Sequence, residues 1–240
     1  MGVYHIVYSP ELKEICLYFD GGCNFSCHGC ITRYYPQDCH LDELPRDTKK
    51  KRLSQREVIS FLKSLSFRRV IFLGLEPALD PDFLLLAKIL KERFSTYNIV
   101  LTNGWEYIDD KAIDEVCVSI KAYSKTIFKE FTGKDNPEKV LENFKKYAEN
   151  CSIKLRAESV FIPGYIDNEE IEKIARFIAS IDSTIPYRID AYIPFGGKDK
   201  FRKPTKEEME RANTIAHRYL KKVSILHKGI KVRDKVKRVY

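Results

Sequence analysis

The chain has 240 residues, 44% of them apolar, enough for one sizeable core and a single domain over residues 1–240. No run of about 18 uncharged apolar residues occurs, which excludes a membrane-spanning helix, and residues 1–6 lack the basic-then-apolar order of a secretion signal, which predicts a cytoplasmic protein. The net charge of +8 is concentrated in Lys49-Lys50-Lys51-Arg52 and in a basic C-terminal end over 226–240; such runs are usually solvated faces, and without interleaved aromatics they leave nucleic acid possible but not favoured.

In chain order, a short apolar segment at 3–8 precedes a first strand near 15–19. A cysteine-rich loop follows, then a long loop over 31–52 holding Tyr34, Tyr35, Pro36, Cys39 and His40, which reads either as a lid or as a surface insertion. Ser54 and Glu57 form a capping box that opens a helix with Val58, Ile59, Leu62 and Leu65 as its buried stripe. The continuous apolar run 70–73 predicts a strand covered on both faces. Asp80-Pro81-Asp82 predicts the start of the next helix, with Asp80 as N-cap and Pro81 in the first turn.

The alternation continues with a strand at 98–101, a helix near 109–115, a strand at 116–120 and helices at 124–131 and 137–148. A strand at 153–162 precedes a helix capped by Asp167 with Glu170 in the third position. The last core strand lies near 187–193, and Thr205 with Glu208 opens the final helix. Six strands alternating with helices imply a parallel sheet, whose chemistry sits at the C-terminal ends of the strands. Three segments fall on that rim: 20–30 after the first strand, Gly74–Pro77 after the second, and Thr102-Asn103-Gly104 after the third.

Cys23, Cys27 and Cys30 have the spacing C-x3-C-x2-C, with Gly21, Gly22 and Gly29 allowing tight turns between them. Seven cysteines, an odd number with three in one loop, argue for a reducing compartment rather than a disulfide framework. Three thiolates leave one iron of a four-iron cube open to a reacting ligand. With Cys39 or His40 as a fourth ligand, the same cysteines could instead make a structural zinc site and a binding module. Cys16 and Cys117, inside strand-like runs, read as core residues, and Cys151 as structural.

The triplet resembles the signature of the radical S-adenosylmethionine (SAM) superfamily. That resemblance implies a partial (β/α)6 barrel, open on one side, and a [4Fe–4S] cluster whose fourth iron chelates SAM; reductive cleavage of SAM then gives methionine and a 5′-deoxyadenosyl radical. It places Gly29, Cys30 and Ile31 beside the cofactors. Gly74-Leu75-Glu76-Pro77 is similar to the family's G-G-E-P turn, with Leu75 in place of the second glycine. Asn103 belongs to the T-N-G after the third strand. Ser119 and Lys121 stand where polar side chains meet SAM, Lys121 being either a counter-charge for its carboxylate or a solvated lysine.

Residues 127–133, 161–167 and 192–196 resemble the activating-enzyme subgroup, pyruvate formate-lyase activating enzyme and its relatives; Gly29 is more reminiscent of anaerobic ribonucleotide reductase activating enzymes. The likeness covers about residues 15–225. Leu101 and Ser119 replace acids common in the subgroup, Glu158 replaces a basic residue, with Arg156 on the same strand face, and Ile193 replaces a histidine. The resemblance implies a glycine in a partner protein as substrate and a low-potential donor such as flavodoxin or ferredoxin. A peptide, a cofactor precursor or an RNA is the alternative substrate.

Overall fold

Residues 2–38, 40–41, 51–195, 199–227 and 235–240 are described by a computed structural model. Its strands are β1 (Val3–Ser9), β2 (Glu14–Phe19), β3 (Arg69–Gly74), β4 (Tyr97–Thr102), β5 (Glu115–Ser119), β6 (Lys154–Phe161), β7 (Tyr187–Ala191), β8 (Val223–Leu226) and β9 (Lys237–Arg238). The helices are α1 (Ile31–Tyr34), α2 (Gln55–Leu62), α3 (Phe83–Phe94), α4 (Lys125–Thr132), α5 (Pro137–Glu149), α6 (Asn168–Ile181) and α7 (Lys206–His217). All strands join one sheet in the order β8-β7-β6-β5-β4-β3-β2-β1-β9. Every pair from β2 to β8 is parallel, while β1 is antiparallel to β2 and β9 to β1.

The period-two alternation of side chains divides the sheet into two faces. Ile15, Leu17, Phe19, Val70, Phe72, Val116, Val118 and Ile189 are fully buried in a core shared with the helices. The other face carries Glu14, Arg69, Glu115, Arg156, Glu158, Arg188 and Asp190, joined to one another by ion pairs. Glu14 on β2 feels the charges of Arg156 and Glu115 although β3 and β4 lie between β2 and β5 in the sheet. The sheet therefore curls around a polar lumen. Among the described residues it stays open, because β8 and β9 are its two ends and do not pair.

The six expected parallel strands are present, and the partial barrel holds. The sheet extends beyond the anticipated core at both ends. β8 adds a seventh parallel strand, and residues 235–240 return to the β1 edge, where Val239 N donates to Ile6 O at 2.8 Å and Ile6 N to Tyr240 O at 3.1 Å. Both strands are short, flanked by basic residues, and too brief to show a period.

The expected helix near 109–115 is a loop. Asp110 Oδ1 accepts from Ala112 N at 2.9 Å and Asp114 Oδ2 from Asn98 N at 2.8 Å, so these aspartates bond the backbone in a turn instead of propagating a helix. At Asp80-Pro81-Asp82 the helix starts at Phe83, three residues after Asp80. Asp80 Oδ1 accepts from Asp82 N at 2.9 Å, while Oδ2 takes Gly2 N at 2.5 Å. Both capping boxes, Ser54/Glu57 and Thr205/Glu208, are formed. Asp167 caps α6, but Glu170 does not complete a box there. Its buried carboxylate accepts from Tyr123 N (2.6 Å), Ser124 N (2.5 Å) and Ser124 Oγ (2.7 Å), so it caps α4 from another helix.

Candidate active site

The cysteine loop leaves β2 and is fastened on three sides. Ser26 N donates to Thr132 O at 2.8 Å and His28 N to Phe131 O at 3.0 Å, so the end of α4 accepts the loop's amides. Gly133, at φ +76°, lies so close that a Cβ there would meet Ser26 Oγ at 2.4 Å. Gly29 has φ +72°, and a Cβ would fall 2.0 Å from Tyr192 Oη, which is itself bonded to Asp199 Oδ2 at 2.7 Å. Phe25 plugs the loop into the core, edge-on to Trp105 and Phe128. These contacts give residues 127–133 and 192 a physical reason to accompany the cysteine motif.

The three rim segments meet. Gly74, at φ +118°, would put a Cβ 2.3 Å from Phe19 O, so this turn accepts no side chain there. Leu75 is not among the non-glycine residues with positive φ, so the replacement of the second glycine carries no left-handed strain. Glu76 is 1% exposed. Its Oε1 accepts from Thr102 Oγ1 (2.8 Å) and Ala78 N (3.2 Å), and its Oε2 from Asn103 N (2.8 Å). Burial raises its pKa, opposed by those bonds. Asn103 then reaches the cysteine loop: Nδ2 donates to Asn24 Oδ1 at 2.6 Å and lies 3.6 Å from Cys23 Sγ. Thr32 Oγ1 in α1 donates to Gly74 O at 3.0 Å, which holds Cys30 and Ile31 against the same turn.

Cys23, Cys27 and Cys30 are half-buried and free of disulfides. Burial pushes the Cys27 thiol up to about 11 and raises Cys23. Lys121 Nζ donates to Ser119 Oγ at 2.6 Å. Burial opposes its charge, but Cys27, Glu158, Cys30 and Cys23 outweigh that and raise its pKa. An ammonium facing three thiols, with no carboxylate within ion-pair distance among the described residues, suits a negatively charged thiolate cluster.

Among the described residues no group of three His, Cys, Asp or Glu side chains is gathered to hold an ion, and Cys39, a candidate fourth zinc ligand, lies outside them. His40 is engaged with Asp38, Nδ1 to Oδ1 at 2.8 Å. Three thiols on one loop, with the Lys121 ammonium before them, fit a negatively charged iron–sulfur group. Cys39, Lys49, Lys50, Gly196, Lys228, Lys231 and Arg233 lie outside the described residues. A cleft of about 1020 Å³ opens at the opposite end of the sheet, where β6, β7 and β8 begin, and has none of these groups.

The sequence pattern of the radical SAM superfamily matches residues 17–178. The chain belongs to the radical SAM superfamily. It is a radical SAM enzyme, working with a [4Fe–4S] cluster and SAM. It is 30% identical, over 93% of its length and 84% of the relative's, to a Methanocaldococcus jannaschii protein with the provisional name glycyl-radical enzyme activating enzyme. A Sulfurisphaera tokodaii protein, provisionally a GTP 3′,8-cyclase, is 31% identical over 52% of this chain and 39% of its own. Among solved structures, SAM-bound SuiB of Streptococcus suis superimposes with TM-score 0.66 at 17% identity, over 93% of this chain and 51% of SuiB. A domain of pyruvate formate-lyase activating enzyme from Bacteroides vulgatus superimposes with TM-score 0.53 at 24% identity, over 66% of this chain and 98% of that one. No helix among the described residues is long and apolar enough to cross a membrane.

Thr32 and Asp199 shape the radical SAM site and carry no motif of their own; they act through folded contacts. The subgroup's basic residue, replaced on β6 by Glu158, has a neighbour in the same register: Glu158 pairs with Arg188 on β7, whose Nη2 donates to Glu158 Oε2 at 2.7 Å. Arg156 is turned instead to Glu115.

Proposed function

We propose that this chain is an activating enzyme that takes a hydrogen atom from a glycine of a partner protein and leaves a stored glycyl radical. The 30% identity to a protein of that provisional name, along 93% of the chain, carries this reading. The open sheet supports it, since a lumen closed on all sides would not admit a segment of a folded protein. SuiB, a neighbour in fold, has been solved with its precursor peptide.

Cys23, Cys27 and Cys30 would hold three irons. Gly29, Cys30 and Ile31 would line the cofactors from the cysteine loop. Gly74, Leu75 and Glu76 would flank the methionine part of SAM, with Glu76 fixing the turn through its three bonds. Asn103, Ser119 and Lys121 complete the lining, Lys121 as counter-charge to the SAM carboxylate. When bound, the cluster and SAM supply the 5′-deoxyadenosyl radical. The chain's own task is to hold those parts in register, to keep water from the lumen and to present the substrate carbon. A flavodoxin or ferredoxin supplies the electron.

The test is to incubate reduced enzyme and SAM with glycyl-radical proteins of the same cell and record electron paramagnetic resonance. A doublet from a carbon-centred radical on the partner is expected. Formation of 5′-deoxyadenosine with a small molecule or an RNA, and no radical on any such protein, would overturn the assignment.

A further inference from the structure

The thiols of the cysteine loop face Lys121 at the top of the lumen, and the side chains between them point the other way. Ser26 is exposed beside Gly133. His28 is partly exposed on a shelf of aromatic rings, edge-on to Phe195 and Phe201. The outer face of the loop is thus separated from the thiols by the loop's own backbone.

Four cations border this face. Arg33 Nη2 donates to Phe25 O at 3.0 Å, which sets the guanidinium on the loop backbone, and its charge is felt at Cys27. Lys134 follows Gly133, with Nζ 5.5 Å from the centre of the Trp105 ring. Lys200 Nζ lies 4.9 Å from the Phe201 ring and 5.6 Å from that of Tyr165. Lys129 is in the last turn of α4, whose end accepts the loop's amides. None of the four forms an ion pair among the described residues. Of the acids next to these residues in the chain, Glu106 pairs with Lys139 at 3.5 Å. Asp199 is buried and spent on Tyr192 Oη and the amides of Phe195 and Phe201. That leaves Glu130 and Asp135 at the surface against the four. An aromatic centre with a rim of surplus positive charge suits an acidic protein.

A substrate bound on this face would be shut off from the lumen by the cysteine loop. An electron needs no opening, only proximity to the thiols across the backbone. We propose that the outer face of the cysteine loop, bordered by Arg33, Lys129, Lys134 and Lys200, docks the acidic one-electron carrier protein that reduces the cluster. One electron leaves the carrier, which is oxidised by one, and enters the cluster, which is reduced by one; no atom is transferred. This rests on the reading that a protein carrier supplies the electron, and it assigns the surface where that happens.

The probe is an acidic flavodoxin, oxidised for binding and reduced for electron transfer. Its binding to the cluster-loaded enzyme is measured by calorimetry at low and high salt. Cluster reduction is followed by stopped-flow absorbance, with dithionite as a reductant that needs no docking. Lys134→Glu with Lys200→Glu reverses two charges of the face, while Arg33 stays in place because it supports Phe25 O. Lys145→Glu with Lys222→Glu makes the same change of net charge at the opposite end of the sheet. Iron content and melting temperature establish that each variant is folded, and Lys134→Gln with Lys200→Gln carries the decision if the reversal is not. Flavodoxin affinity at low salt is expected to fall about tenfold in the reversed face, with a shallower salt dependence, and to stay within about twofold in the opposite-end variant. Reduction by dithionite should be unchanged in both. Unaltered flavodoxin affinity in the reversed face, an equal fall in the opposite-end variant, or tighter binding of an RNA oligonucleotide to the same lysines would each overturn the proposal. The readings fail separately. Flavodoxin that reduces the cluster with unaltered affinity in the reversed face sinks this surface alone, whereas a parent enzyme that neither flavodoxin nor ferredoxin binds or reduces sinks the carrier reading and the surface with it. Face-dependent reduction with no radical on any glycyl-radical protein sinks the glycyl assignment alone.

Discussion

Replacing Glu76 by glutamine tests how the rim is held together. The carboxylate of Glu76 meets three donors and no acceptor: Thr102 Oγ1, Ala78 N and Asn103 N. The Thr102 hydroxyl already accepts Gly104 N at 3.1 Å, which leaves its proton for Glu76. Only an ionised carboxylate satisfies all three, although burial raises its pKa. Glutamine must put its NH2 where one oxygen stood, and the position facing Asn103 N displaces fewest bonds. Two buried donors then oppose each other, at a loss of about 2–4 kcal/mol. For a domain of this size that lowers the melting temperature by about 5–15 °C. The displaced Asn103 also loosens its bond to Asn24 in the cysteine loop, so iron retention should fall with stability. The assay is an anaerobic melt of the cluster-loaded protein together with iron analysis. A Glu76→Gln protein that melts within about 1 °C of the parent and keeps its iron would refute the reasoning, because it would mean that the buried carboxyl is protonated and glutamine its equivalent.

Gly29→Ala places a side chain at φ +72° and against Tyr192 Oη; the backbone alone costs about 1–2 kcal/mol, and iron bound per chain should drop, which iron analysis checks. Alanine at Cys23, Cys27 or Cys30 is expected to abolish cluster assembly and 5′-deoxyadenosine formation together, whereas Cys39→Ala is expected to leave about four irons per chain; loss of the cluster in Cys39→Ala would break the ligand assignment. Burial, opposed by Arg188, pushes Asp190 up to about 6. Between pH 7 and pH 5 the folded state therefore binds a proton that the unfolded chain does not, and stability from this group rises as pH falls. The parent should gain about 1 kcal/mol over Asp190→Asn across that window, by denaturant titration at both pH values.

How much was legible beforehand follows from the range of each interaction. The cysteine loop, the capping boxes at Ser54 and Thr205 and the alternation of strands and helices are local or periodic, and the sequence alone determined them, together with the superfamily. Parallel order then placed residues 20–30, 74–77 and 102–104 on one rim, because every parallel strand ends on the same side. What each rim residue touches was decided by tertiary structure. Glu170 sits three residues after an N-cap, yet it caps α4 because Tyr123 N and Ser124 N arrive beside it from 47 and 46 residues away. The aspartates at 110 and 114 found backbone amides nearer than a helix would provide. The charge partner of Glu158 is Arg188, 30 residues later, since strand register, and no feature of either segment, sets the two side chains against each other. Charge and periodicity are properties of a segment. Pairing across a curled sheet is a property of the fold, and the lumen wall is built from pairs.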